Sequence, residues 1–182
     1  MRSRWSRAVI VAVEPTTLAP APFLVEHASL LAPGRTLDLA AGSGRNAVFL
    51  ASRGHRVLAV DVSLEALQTL RRRAPAIASA QVDLDRPCFR PGSVDNVVCV
   101  NFLDRRLFPE ILGWIRPGGV LLYDTFLIDQ RAVGHPRNPA FLLERGELLE
   151  RLSGERVLHY REGAVRSEAE TSFRAGIVAV KV

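Results

Sequence analysis

Apolar residues in this chain fall into short blocks, some continuous and some at helical spacing, and the two kinds alternate. Residues 35–62 show the pattern most plainly. An apolar run at 37–40 breaks at Gly42-Ser43-Gly44. Ala47, Val48, Leu50 and Ala51 then recur at helical spacing, with Gly54 at a C′ position, and a second apolar strand over 56–60 ends on Asp61. Upstream, residues 23–31 read as a helix with Phe23, Leu24, His27, Leu30 and Leu31 on one side, closed by Pro33-Gly34. Downstream, Ser63 is placed to cap a helix whose buried stripe is Leu64, Leu67 and Leu70 and which stops before Pro75. Further strands are expected over 77–84, 94–102 and 120–126, with a helix over 107–115 ended by Pro117-Gly118-Gly119. The near-continuous apolar middle of 94–102 suits a parallel strand buried on both faces. A long polar segment, 128–139, leads to an amphipathic helix over 141–152 and two closing strands, 157–161 and 176–182. Strand and helix alternate five times before that pair, which predicts an α/β, doubly wound parallel sheet with helices on both faces.

At 182 residues, 48% hydrophobic and 24% charged, the chain fits one domain with a real core. We expect the folded domain over 21–182 and a lead-in over 1–20. Arg2, Arg4 and Arg7 followed by an apolar run imitate a secretory signal, but the run is short and Glu14-Pro15 interrupts it. No apolar run approaches the roughly 20 residues of a membrane span, and a cytoplasmic location is expected. The net charge of +5 changes the picture little: three of the arginines lie in the lead-in, and Lys181 is the only lysine among 24 basic residues. The Arg71-Arg72-Arg73 cluster suits the C-terminus of a helix, so nucleic acid is not the expected partner. Cys88 and Cys99 have neither CxxC spacing nor a nearby histidine; no metal is expected, and Cys99 reads as core.

Two cofactor chemistries compete for the turn after the first strand. Gly42, Gly44 and Ala47 fit the GxGxxG/A pattern of a dinucleotide-binding turn. Against it stands Asp38, which would repel a pyrophosphate. The same carboxylate suits a cofactor with no phosphate and a cationic amino-acid end, and S-adenosylmethionine is such a molecule.

Asp38, Ala40, Gly42 and Gly44 resemble the first motif of class I S-adenosylmethionine-dependent methyltransferases. The resemblance implies a Rossmann-like, seven-stranded, mostly parallel sheet in the order 3-2-1-4-5-7-6 with strand 7 antiparallel. It places Asp61, with Val62 beside it, at the ribose hydroxyls. Asp83, with Leu84, falls at the adenine, and Asn101 at the methionine end of the cofactor. Asn46 follows the glycine turn in the first helical turn and joins this cofactor set. Residues 42–63 are most similar to the small tellurite-resistance-type methyltransferases of bacteria. The His-Arg pair of that group falls near Val165-Arg166, where the arginine is kept and the histidine is absent, which leaves the acceptor open. Asn101-Phe102-Leu103-Asp104 lacks the Asn/Asp-Pro-Pro-aromatic tetrad associated with methylation of nucleobase amines.

The implied activity is in-line methyl transfer to a small acceptor, anionic or soft (S, Se, Te or O), with S-adenosylhomocysteine as product. The alternatives are an NAD(P)-binding oxidoreductase and a non-catalytic cofactor-binding or interaction module. An acceptor over the carboxyl ends of the fourth and fifth strands would meet Phe102, Arg105, Arg106, Phe126, His135, Arg137 and Asn138, with Tyr160 and Arg166 from the final strands. No catalytic residue is assigned; His135, Arg106 and Arg137 are the candidates, His135 as a base.

Overall fold

The computed structural model describes residues 19–86, 89–166 and 171–182, so most of the expected lead-in, and Cys88, lie outside the described residues. Seven strands form one sheet: β1 (Arg35–Leu39), β2 (Arg56–Asp61), β3 (Ala78–Gln81), β4 (Val94–Val100), β5 (Ile115–Phe126), β6 (Arg156–Arg166) and β7 (Thr171–Val180). Their order is β3-β2-β1-β4-β5-β7-β6. The first five strands pair in parallel, whereas β7 runs antiparallel to both β5 and β6. The chain winds outward from β1 in one direction through β2 and β3, and in the other through β4 and β5. The carboxyl ends of β1 and β4 therefore meet at the point where the winding reverses, the usual crevice of such sheets.

Helices cover both faces: α1 (Pro22–His27), α2 (Arg45–Ser52), α3 (Leu64–Arg73), α4 (Phe108–Trp114) and the short α5 (Glu147–Arg151). Alternation along each strand sends residues to opposite faces. Leu37, Leu39, Cys99, Leu121, Tyr123 and Ile177 pack on one side with Ile111 and Trp114 of α4. Val98, Leu122 and Val178 pack on the other with Phe23 and Leu24 of α1 and Ala47 and Leu50 of α2. Polar side chains break this second face at Thr36, Asn96, Asp38 and Asp124, all buried. Asn96 Nδ2 donates to Thr36 Oγ1 at 3.0 Å and to the Ala32 carbonyl at 2.7 Å, which answers one of these polar positions from within the fold.

The capping expectations hold: Ser63 Oγ accepts from Ala66 N–H at the start of α3, and Gly54 has φ 86° just past α2. Several boundaries differ. The helix expected over 141–152 shrinks to α5, because Leu142 and Leu143 are extended and fully buried. Leu143 N–H donates to the Phe126 carbonyl and its carbonyl accepts from Ile128 N–H, so tertiary pairing replaces helical bonding there. The polar segment 128–139 holds a 3-10 turn, Ile128–Ala132, and a second follows at Pro139–Phe141. β3 covers less than the expected 77–84, since Asp83 Oδ1 accepts from Asp85 N–H and turns the chain. β5 starts earlier than expected, at Ile115, and carries Pro117-Gly118-Gly119 across a register shift from Val94↔Ile115 to Asn96↔Val120. β6 and β7 are both longer than expected and continue to pair with each other past the end of β5. The helix expected over 23–31 becomes α1 followed by a 3-10 turn, Ala28–Leu30.

Leu143 bridges to Leu127 just past the end of β5 and is fully buried. Its replacement by alanine is expected to lower stability by about 2–4 kcal/mol in urea denaturation, whereas a solvent-facing helical position would change little.

Candidate active site

The turn after β1 is fastened from two sides. Ala41 N–H donates to the Val60 carbonyl and Gly44 N–H to the Ala41 carbonyl, each at 2.9 Å. Asp61, at the end of β2, accepts from Gly42 N–H at 2.7 Å through Oδ2 and from Ser63 N–H at 2.8 Å through Oδ1. One carboxylate thus holds the glycine turn against β2 and shapes the entry to α3. Each of its oxygens retains a second acceptor direction. Gly44 has φ 79°, and a Cβ there would collide with the buried Leu70 side chain of α3, so the turn requires glycine for both conformation and closeness.

Among the described residues two non-glycines adopt left-handed backbone, Ala40 with φ 55° and Asn101 with φ 59°. They follow β1 and β4, on the two sides of the crevice. Such conformations cost on the order of 1–3 kcal/mol each and cluster at ligand sites. Asn101 is held by its N–H to the Asp124 carbonyl at 2.9 Å, and its Oδ1 accepts from Arg174 Nη2 at 2.6 Å.

Asp38 sits inside this frame, 1% exposed, with Oδ2 lacking any hydrogen-bond partner. Burial pushes its carboxyl up to about 7, opposed by the Ala47 N–H and the Arg45 guanidinium and reinforced by Asp61. A buried carboxyl with one idle oxygen favours a cation at that point. Arg45 opens α2 half-buried, its pKa lowered chiefly by burial and then by Arg174.

Asp124 and Arg174 were not among the residues singled out from the sequence. Arg174 Nε and Nη2 donate to Asp124 Oδ2 at 3.0 and 2.6 Å, and the guanidinium lies over the Phe126 ring, 4.3 Å from its centroid. A signal for them existed: each is a lone charge inside an otherwise apolar strand, VLLYDTF and FRAGIVAV. Arg161 of β6 extends this cluster, with Nη2 3.5 Å from Asp124 Oδ1.

The other expected residues divide. Asp38, Ala40, Gly42, Gly44, Asp61 and Asn101 gather at the crevice, and Val62, Asp83 and Leu84 continue along the ends of β2 and β3. Asn46 Oδ1 accepts from Ala21 N–H at 2.9 Å and so fastens α1 to α2. Asp83 forms the turn with Asp85 described above. Arg106 is bound to Asp104 and Asp85 on the surface. Arg105 grips Glu147 with Nε and Nη2 at 2.7 and 2.8 Å and also reaches the Leu142 carbonyl, a clamp on α5. His135 and Arg137 are exposed; Arg137 lines a shallow depression with Ile128, Asp129, Arg131 and Ala132. No hydrogen bond or ion pair among the described residues joins either of them to Asp38, Asn101 or Asp124. Asn138 caps a 3-10 turn, Tyr160 donates to Glu162, and Arg166 is exposed. The Phe102 carbonyl accepts from Tyr123, and the Phe126 ring is buried beneath Arg174. Among the described residues no group of three or more His, Cys, Asp or Glu could hold a metal ion, and no helix is long and apolar enough to cross a membrane.

Residues 36–119 match a family model described as a methyltransferase domain. A trans-aconitate 2-methyltransferase of Paracidovorax citrulli is 30% identical over 125 residues, covering 64% of this chain and 48% of that protein. A demethylmenaquinone methyltransferase of Beutenbergia cavernae is 37% identical over 101 residues, 52% of this chain and 42% of that protein. The chain spans about half the length of the curated relatives it matches. Among solved structures, TehB from Haemophilus influenzae superposes with a TM-score of 0.78 at 22% identity, covering 94% of this chain and 65% of that one.

Asp38 generates a signed pH effect. Its folded pKa, about 7, lies above its ordinary value of 3.8, so its contribution to stability is full below about pH 4 and disappears as pH rises through about 7. Asp38→Asn should flatten that fall in the ligand-free protein, read as the wild-type-minus-variant difference in Tm between pH 4 and 8. A pH-independent difference would contradict the burial assignment.

Proposed function

We propose that this chain, whose residues 36–119 match a methyltransferase-domain model, is an S-adenosylmethionine-dependent methyltransferase acting on a small acceptor that is anionic or soft. The observation that carries the reading is the buried Asp38 carboxyl, with its idle Oδ2, at the end of β1 beside a glycine turn. That carboxyl fits a ligand with a cationic amino-acid end, and in its ionised form it would repel a pyrophosphate. When bound, S-adenosylmethionine supplies a methyl group already activated on a sulfonium.

The chain contributes binding, orientation and exclusion of water. Asp38 receives the ammonium. Gly42 and Gly44, with Ala40, let the backbone approach closely. Asp61 offers the second acceptor direction of each oxygen to the ribose hydroxyls, its first directions being held by Gly42 and Ser63. Asp83 takes the adenine amine, with Val62 and Leu84 as apolar neighbours, and Asn101 closes on the methionine end. Asn46 supports the same pocket from the start of α2 by holding α1 in place. The relatives named for trans-aconitate and demethylmenaquinone are both named for small molecules, which supports a small acceptor here. A soft thiolate or oxyanion acceptor needs no strong base. The exposed position of His135 accords with a reaction that does not use it as a base.

Two measurements test the reading. At a hundredfold excess over Kd, S-adenosylhomocysteine should stabilise the chain by about 2.7 kcal/mol, and NADH should not; the reverse result would sink it. In calorimetry, Asp61→Asn should weaken S-adenosylhomocysteine on the order of tenfold, since charge-assisted hydrogen bonds contribute about 1.5–3 kcal/mol. Unchanged affinity would remove the ribose role.

A further inference from the structure

Arg161 lies in β6 opposite Gly176 of β7, which in turn lies opposite Asp124 of β5. Gly176 leaves this row open: a Cβ there would meet the Phe23 ring at 2.8 Å and Asp124 Oδ1 at 3.0 Å. Through the opening the Arg161 side chain reaches back towards Asp124 and lies over the Phe23 ring of α1, 4.5 Å from its centroid. Its side chain is only 27% exposed, yet it makes no hydrogen bond with any described residue, and its Nε is buried without a partner. Two carboxylates flank it without hydrogen-bond geometry. Asp124 Oδ1 is 3.5 Å from Nη2, and Glu26 Oε2 is 3.7 Å from Nη1. Asp124 Oδ1 and the neighbouring His27 Nε2 are likewise buried and unpartnered. An arginine used for structure would resemble Arg105, whose guanidinium fork is filled by Glu147 and two carbonyls. Arg161 instead lies over an aromatic ring and is held only loosely by two carboxylates at 3.5 and 3.7 Å, an arrangement that a planar anion in bidentate contact could improve on.

The contacts Asn101–Arg174–Asp124–Arg161 run without a break from the end of β4 to β6, so a line of charged and polar side chains links Arg161 to the crevice. Resting on the methyltransferase reading of that crevice, we propose that Arg161 recognises the acceptor by a carboxylate. Glu26, 59% exposed on α1, is the loosely held group which that carboxylate displaces. The fork has the spacing of two carboxylate oxygens, and the Phe23 ring below it favours a flat partner over a tetrahedral one.

Malonate serves as the probe, with malonamide as its neutral counterpart and sulfate as a tetrahedral anion, titrated into the full chain with and without saturating S-adenosylhomocysteine. Malonate should bind the wild type better than malonamide or sulfate. Arg161→Gln should weaken malonate on the order of tenfold and leave S-adenosylhomocysteine affinity unchanged. Glu26→Gln, a surface change that does not endanger folding, should strengthen malonate by roughly threefold, since it removes a competing charge. Equal malonate affinity in wild type and Arg161→Gln, malonamide or sulfate as good as malonate, or no gain in Glu26→Gln would overturn the proposal. Failure of the wild type to bind S-adenosylhomocysteine while the malonate differences persist would sink the cofactor reading and leave the carboxylate site standing.

Discussion

The Asp61 carboxylate, accepting from Gly42 N–H on one side and Ser63 N–H on the other, sets the geometry on which the rest of the crevice depends. It ties the loop after β1 to the loop after β2, and so fixes where α2 and α3 begin. Leu70 of α3 then packs where a Cβ of Gly44 would stand, and Arg73 Nη2 donates to the Gly44 carbonyl. With the turn held from below and from the side, the left-handed backbone at Ala40 is maintained against its conformational cost.

A second constraint is electrostatic. The sheet face under α1 and α2 is apolar except for a few buried polar groups, and the fold answers them unequally. Near the amino ends of the strands Asn96 Nδ2 donates to Thr36, while Asn96 Oδ1 keeps no partner. Near the carboxyl ends, Asp38, Asp124 and Arg161 each keep a buried atom without a hydrogen bond. Idle polar atoms in a low-dielectric setting are costly, and each such atom is a place where a ligand or water could pair. Arg174 links Asp124 to Asn101 and so ties β7 to the ends of β4 and β5.

The elements that sequence reading recovered best were those governed by local chemistry. Ser63 as a cap, Gly54 after α2, Cys99 as core and the buried run of β4 all follow from side-chain type and period. Residues 141–152 were misread because an amphipathic pattern there coexists with a pairing partner, Phe126 to Ile128, that periodicity does not register. Arginine-rich candidates fared unevenly for a similar reason. Arg105 and Arg106 looked alike in sequence, yet one clamps α5 and the other pairs with surface aspartates.

The sequence by itself determined the alternating architecture, the glycine turn and the carboxylates at the ends of the first and second strands. These depend on residues near one another in the chain, and their spacing carries the information. Only the tertiary structure decided that Asp124 meets Arg174 and Arg161 and that Arg174 reaches Asn101, because strands from distant parts of the chain must pair before those charges become neighbours. It also decided that Asn46 holds Ala21, and that Arg161 is left without a hydrogen bond among the described residues while Arg105 is filled. Whether a polar group is satisfied depends on everything packed around it, and no local pattern of residues encodes that.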